Sequence, residues 1–299
     1  MESVSLESLE LERQKIKKQN SITTLIGVVV LIVFLVLGFY TLELFLMFIG
    51  IIIFAILLII NGNRKSTFTK QFKENIIRRL VEEELGREAY YDPKGSLKLS
   101  EINSVRCTTE PDRWQLSDYI RSSYNGVPYE ICDCIFEERR VTRDARGNRQ
   151  VHYVTYFKGR VIKIDYQRDL NINMKIVNDG PMGFNPEGLT KFETEVIDFN
   201  KRFKCYVDNT ENGFYVLTPV FIQKLLQFEK MFRGGLVFAF KHNNLYVFIN
   251  DSRDTLEVSF NKPLTGEQID RIRGEIILPA TIINEFRIDD DKFNVNMKI

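Results

Sequence analysis

The chain has 299 residues, of which 44% are hydrophobic, 12% aromatic and 27% charged, which excludes a disordered tail and describes a folded protein. Its 41 basic and 40 acidic residues leave a formal net charge of +1, so broad electrostatic attraction to nucleic acid is excluded and no nucleic acid is expected as a partner. Four irregularly spaced cysteines, Cys107, Cys132, Cys134 and Cys205, are unlike a small secreted disulfide scaffold, and reduced thiols are expected.

Residues 1–20 read as a cytoplasmic arm with an acidic outer half (Glu2, Glu7, Glu10, Glu12) and a basic inner half (Arg13, Lys15, Lys17, Lys18). The basic half is expected near anionic headgroups, as a topology determinant and not as a site. From Ile22 to Ile60 the only ionisable side chains are Tyr40 and Glu43. As one helix this stretch would be roughly 58 Å long, nearly twice the hydrocarbon thickness of a bilayer, so two helices must share it. The polar break Tyr40, Thr41, Leu42, Glu43 predicts a transmembrane hairpin over 21–61 with a very tight turn. A cleaved signal peptide fails, because the first apolar run is too long, lacks a small-x-small cleavage site and is followed at once by a second span. Glu43 is placed at the water-facing turn, and Gly27, Gly38 and Gly50 offer close helix contact without completing a small-xxx-small pair.

The second span is followed by Arg64, Lys65, Lys70 and Lys73, while the turn carries no lysine or arginine, so both termini are expected in the cytoplasm. After Asn61, Gly62 and Asn63, residues 62–88 read as an amphipathic connecting helix. Phe68, Phe72, Ile76, Ile77, Leu80, Val81 and Leu85 fall at helical spacing, Ser66 or Thr67 offers an N-cap, and Gly86 a stop. Docking of this face on a soluble domain is the stronger reading over headgroup contact, because Glu82, Glu83 and Glu84 follow the basic residues.

Residues 89–299 are expected to form a cytoplasmic α+β domain with a mainly antiparallel sheet and packed helices. Turn chemistry at Asp92 to Ser96 leads into a short helix near Ser100 to Ser104 and an irregular region around Trp114. Val127 to Arg140 and Val151 to Tyr166 read as a hairpin with a long tip, VTRDARGNRQ, and Ile172, Met174 and Ile176 as a half-buried strand. The segment 179–191, rich in glycine and proline, is a loop or a subdomain boundary. Phe199 to Val207 reads as a strand. Thr218 and Pro219 start a helix with Phe221, Ile222, Leu225, Phe228 and Phe232 on one face, ended by Gly234 and Gly235. A β-hairpin turns at His242, Asn243 and Asn244; Leu256, Val258 and Phe260 read as an alternating strand. Helices are expected after Thr265 and after Pro279, and a closing strand over Phe293, Val295, Met297 and Ile299.

No motif survives as chemistry. Gly183 and Gly188 have the G-x-x-x-x-G spacing, but Leu189, Thr190 and Lys191 misplace the lysine of a phosphate loop. Cys132 and Cys134 would need two further zinc ligands, and Cys107, Cys205, His152 and His242 show no paired spacing. The two histidines have no attached nucleophile motif; Glu137 with Glu138 and the run Asp289, Asp290, Asp291 read as solvated faces. The aromatic series Phe199, Phe203, Tyr206, Phe214, Tyr215, Phe221, Phe228, Phe232, Phe238 and Phe240 is read as core first and as an apolar ligand pocket second. No residue therefore qualifies as catalytic, cofactor-binding or metal-ligating, and no cofactor is expected.

Several phrases together resemble an uncharacterised bacterial membrane family, the domain of unknown function numbered thirty-one thirty-seven. They are YYDPKG at Tyr90 to Gly95, SDYIRSSYNGVPYEI from Ser117, YFKGRVIKID from Tyr156, DFNKRFKCYVDN from Asp198, YVLTPVFIQKLLQFEKMF from Tyr215 and GLVFAFKHNNLYVFI from Gly235. Ser122 and Ser123 stand where that family has glycine, and the tip Val141 to Gln150 is this chain's own. The resemblance implies a bacterial inner-membrane protein with no established activity, and a LemA-like protein as partner. The function expected is a membrane-tethered module on the bilayer that binds another membrane protein or a peptide, with homo-oligomerisation open; a tethered enzyme acting on lipids or peptides is the alternative. A reporter enzyme active only outside the cytoplasmic membrane, fused at Ile299, is expected to be silent; activity there overturns the topology.

Overall fold

Strong helix formers before the apolar stretch lead into it with no proline through residue 41, and the backbone follows as one helix. The computed structural model describes residues 6–143, 147–178, 184, 186, 188–232, 234–290 and 292–293, and α1 (Leu6–Thr41) is one unbroken helix from the arm through the first span. The chain divides into two units, Met1–Leu80 with Leu256–Ile272, and Val81–Thr255 with Arg273–Ile299.

In the first unit, α1 and α2 (Leu44–Phe72) meet at a turn in which Leu42 takes a left-handed φ of 57° and Glu43 is exposed. Both are long and apolar enough to cross a membrane. Their outer faces are bare: Leu25 is 66% exposed and Phe45 72%. Between them the glycines permit close approach, since a Cβ on Gly50 would lie 2.6 Å from that of Phe34. The N-cap offered at Ser66 or Thr67 is not used, because α2 runs on through both residues and then through a π-helical turn (Lys73–Ile77) into α3 (Arg78–Leu85). Asn61 does not interrupt its own helix because its Nδ2 donates across the hairpin instead, to the Asn20 carbonyl and to Thr24 Oγ1. Gly86, at φ 86°, stops α3 where expected.

The segment from Leu256 was expected as a strand and is irregular. Its backbone groups are taken by side chains of α1: Arg13 Nη1 donates to the Phe260 carbonyl at 2.9 Å, and Glu10 Oε2 accepts from the Leu264 amide at 2.9 Å. Arg13 is buried, and its guanidinium holds the Glu10 carboxyl down at about 2. Phe68 packs edge-on against Phe260 with centroids 5.6 Å apart, and Lys73 pairs with Glu257 at 3.0 Å, so the apolar face of the connecting helix is docked on protein.

The second unit is built on β1 (Tyr90–Asp92), α4 (Leu99–Ser104), β2 (Arg113–Tyr124), β3 (Val127–Arg143), β4 (Arg149–Asp165), β5 (Ile172–Asn178), β6 (Thr190–Phe192), α5 (Ile197–Arg202), β7 (Phe203–Val207), α6 (Thr210–Val216), α7 (Pro219–Glu229), β8 (Gly235–His242) and β9 (Asn244–Asn250). The last helix, α8 (Gly266–Glu285), begins in the first unit and ends in this one. The nine strands form one sheet, ordered β1-β2-β3-β4-β9-β8-β5-β7-β6, and every pairing is antiparallel. The α+β class with a mainly antiparallel sheet is therefore observed. Strands on either side of 179–191 lie in the same sheet, and the loop itself is mostly outside the described residues.

Three local expectations fail here for physical reasons. The region of Trp114 is a long strand, hidden in the sequence because β2 is half-exposed and polar and carries a bulge between Ser117 and Ile120. Phe199 to Arg202, read as the start of a strand, lie in the helix Ile197–Arg202, with Thr194 and Asn200 side chains bonded to each other and to nearby backbone. Pro279 lies inside α8 instead of dividing two helices. Thr218 does cap α7, its Oγ1 accepting from the Phe221 amide, and His242 turns the β8–β9 hairpin at φ 55°. The closing strand expected after Phe293 lies outside the described residues.

The central strands are buried on both faces, which is why β8 and β9 read as continuous apolar runs. On one face Cys134, Phe136, Phe157, Val161 and Phe248 pack beneath α4. On the other, Phe238 meets Phe228 of α7 and Phe286 after α8, at 5.6 and 5.4 Å. That face also holds Arg160, fully buried, with Nη1 3.1 Å from Asp251 Oδ2 and Nη2 2.9 Å from Glu275 Oε2, and its guanidinium 5.3 Å from the Phe232 ring. Arg160→Met strands the buried Asp251 carboxylate. A loss of roughly 3–5 kcal/mol is expected in urea denaturation, against under about 1 kcal/mol for an exposed charge such as Lys201→Met.

Candidate functional site

Two strands of the sheet outrun their neighbours. The pairing of β2 with β3 begins at Arg113 opposite Glu137, and β9 pairs with β4 only from Arg160 onward. Residues 138–143 and 149–154 therefore stand as a two-stranded ribbon with Glu138 opposite Val154 and Arg143 opposite Arg149; the tip, 144–146, lies outside the described residues. At its root Tyr156 is the extra residue of a bulge between Phe136 and Glu137, fixed by its hydroxyl donating to the Thr109 carbonyl at 2.6 Å. Such a bulge increases the local twist and re-aims the strands beyond it.

Side chains alternate along a strand, so the register assigns the two ribbon faces. One carries Glu138, Arg140, Thr142, Gln150 and His152, with Glu138 paired to Arg140. The other carries Arg139 opposite Tyr153, Val141 opposite Val151 and Arg143 opposite Arg149. Its apolar centre is bare: Val141 is 48% exposed, Val151 47% and Tyr153 42%. Arg113 closes the root, ion-paired to Glu137 at 2.7 Å and stacked 4.7 Å from the Tyr153 ring. Arg139, Arg143 and Arg149 are exposed and have no carboxylate partner among the described residues. An apolar strip flanked by three exposed guanidiniums fits carboxylates held on an extended or helical segment of another chain.

Among the described residues one grouping of metal-type donors exists, Asp118, Asp133 and Asp254, with one oxygen of each within 4.8 Å of the others. Asp118 is turned inward by the β2 bulge at φ 57° and accepts from the Tyr91 hydroxyl at 2.7 Å. Asp133 accepts from the Thr255 amide at 3.1 Å and from its hydroxyl at 2.7 Å. Burial pushes the Asp133 carboxyl up to about 7, with the neighbouring Asp254 and Asp118 carboxylates adding to the rise. Asp118 and Asp133 are each held by protein donors in this cluster.

The residues weighed from sequence fall apart in space. Cys132 and Cys134 are buried side by side, Sγ 3.6 Å apart, and burial pushes the Cys107 and Cys205 thiols up to about 12, so these are inert core thiols. His152 lies on the ribbon and His242 in its turn. Glu137 and Glu138 are paired to arginines, Asp289 accepts from Asn125, and Asp291 lies outside the described residues. Gly183 of the phosphate-loop spacing also lies outside them. The aromatic series is largely core, with Phe221 and Phe286 at 4.9 Å and Phe199 and Phe203 at 5.1 Å, while Phe214 and Tyr215 are exposed. Sequence reading missed the arginine face and the acid cluster. The first was within reach, since R-x-V-x-R and R-x-V-x-Y alternate on the two arms of the expected hairpin.

Residues 155–288 match the family model described as protein of unknown function (DUF3137). No curated protein matches the chain. The crystal structure of the mycobacterial trehalose monomycolate transport factor A, TtfA, aligns at a TM-score of 0.38 with 8% identity, over 67% of this chain and 93% of that one, a likeness too low to transfer fold or function.

The Asp133 proton gives the second unit a pH dependence with a definite sign. The folded chain keeps a proton that the unfolded chain releases near pH 4, so stability falls as pH rises from about 4 to about 7, by about 1.4 kcal/mol per pH unit, and is flat above that. Asp133→Asn, which keeps an acceptor for Thr255, is expected to flatten thermal unfolding midpoints across that window; an unchanged slope assigns the dependence to other groups.

Proposed function

We propose that the protein is a membrane-tethered protein-binding module. Its hairpin crosses the inner membrane twice with both termini cytoplasmic, and the Tyr153 face of the ribbon receives an acidic segment of another membrane protein. The observation that carries the binding role is that face, an exposed apolar strip between three arginines without carboxylate partners among the described residues. The membrane role is supported by the bare apolar surfaces of α1 and α2, which water would not tolerate at this extent, and by lysine and arginine confined to the ends away from the turn. Tethering itself contributes, because two proteins confined to one membrane meet at a raised effective concentration.

The enzyme reading draws less support: in the cluster of convergent carboxylates found among the described residues, Asp118 and Asp133 are already held by Tyr91 and Thr255. LemA-like proteins, implied by the family resemblance, are the first partners to examine. A photo-crosslinking amino acid at Val151 in intact cells is expected to give discrete adducts with another protein. Combining Arg139→Glu, Arg143→Glu and Arg149→Glu should reduce them at least tenfold. Adducts only to a second copy of the chain, or adducts indifferent to charge reversal, overturn the proposal.

A further inference from the structure

The basic ends of α1 and α2 do more than precede and follow apolar helices, because they enclose a groove of about 630 Å³. Along α1 it is lined by Lys17, Asn20, Ser21, Thr24, Leu25 and Val28, and along α2 by Lys65, Gly62, Asn61 and Leu58, with Phe260 and Asn261 forming a lip. The lining is graded. Two ammonium groups stand at one end, amides and hydroxyls follow, and Leu25, Leu58 and Val28 close the other. Lys17 to Val28 is roughly 16 Å at the helical rise, about the height of a headgroup with the start of its acyl chains.

Each level has a physical reason to be open. Lys17 Nζ donates to the Asn261 carbonyl at 3.3 Å and Lys65 Nζ lies 5.7 Å from the Phe260 ring, and neither is ion-paired to a carboxylate among the described residues. Asn20 and Asn61 exchange Nδ2 donations to each other's carbonyls at 3.3 Å, which ties the helices together at this level. Both side chains are more than nine-tenths buried, and both Oδ1 atoms lack a donor. Gly62 has nothing within 4 Å of a Cβ built on it, so the wall there is deliberately low.

We propose that this groove is a specific phospholipid site. The phosphate lies between Lys17 and Lys65, with a headgroup or ester region against Ser21, Thr24 and the two asparagines. One acyl chain runs along Leu25, Val28 and Leu58. A free phosphate ester would use only the lysine end and leave the apolar half empty, which is why the lipid is the source assigned. The inference rests on the membrane reading of the hairpin and adds a bound lipid to it.

The test uses the full chain in nanodiscs containing two photoreactive phosphatidylglycerols, one carrying the diazirine near the phosphate and one at the end of an acyl chain. The headgroup probe is expected to label peptides containing Lys17 to Thr24 or Asn61 to Lys65. That labelling should fall about tenfold in Lys17→Gln with Lys65→Gln, and equally in Gly62→Leu, whose Cβ meets nothing within 4 Å and whose side chain narrows the groove. The acyl-end probe should label the outer faces of α1 and α2 in every variant. Acyl labelling without headgroup labelling overturns the lipid site while the membrane reading stands; loss of both overturns the membrane reading with it. Competition by millimolar inorganic phosphate assigns the lysines to a soluble anion and overturns the lipid.

Discussion

A guanidinium taken out of water must find its partners inside the protein, and this chain does so twice. Arg13 in the first unit is held by Glu10 and by the Phe260 carbonyl, and Arg160 in the second by Asp251 and Glu275. Both partners sets lie partly between residues 250 and 275, the stretch that leaves the sheet at β9, passes through irregular backbone and enters α8. An irregular segment has few ladder hydrogen bonds of its own, so its position depends on what side chains impose. Here charge-assisted bonds impose it, and the desolvation cost of each arginine makes the alternative positions worse as much as it makes the observed one better.

That dependence explains which parts of the fold were legible. Periodicity recovers elements whose burial pattern is their own: the two apolar helices, α7 with its Thr218 cap and Pro219, and the β8–β9 hairpin. It fails where a partner distant in sequence decides. Leu256, Val258 and Phe260 alternate like a strand, yet their backbone is claimed by Arg13 and Glu10, some 250 residues earlier. Ser66 or Thr67 offers a fresh helix start, yet α2 runs through both, and Asn20 and Thr24 supply bonds to Asn61 within it. Local propensity is a weak prior against such contacts.

The candidate site was half legible for a related reason. The hairpin and its long tip are plain in the sequence, but a ribbon face is defined by register, and register here depends on the Tyr156 bulge, which shifts every later pair by one residue. Only after that shift does Arg139 stand opposite Tyr153 and Val141 opposite Val151. The acid cluster was illegible outright, since Asp118, Asp133 and Asp254 are brought together by a second bulge and a loop.

A formal net charge of +1 conceals this arrangement because it averages over a molecule on which charge is sorted by place. Glu137 and Glu138 neutralise Arg113 and Arg140, and beyond them three arginines are left on one face of the ribbon. At the base of the hairpin, Arg13 is neutralised by Glu10 while Lys17 and Lys65 face a groove without a carboxylate. In both places acid cancels the base that the fold consumes and leaves uncancelled the base that faces outward. Over the Debye length of about 8 Å at physiological salt, a partner or a headgroup responds to those local groups and not to the sum over the chain.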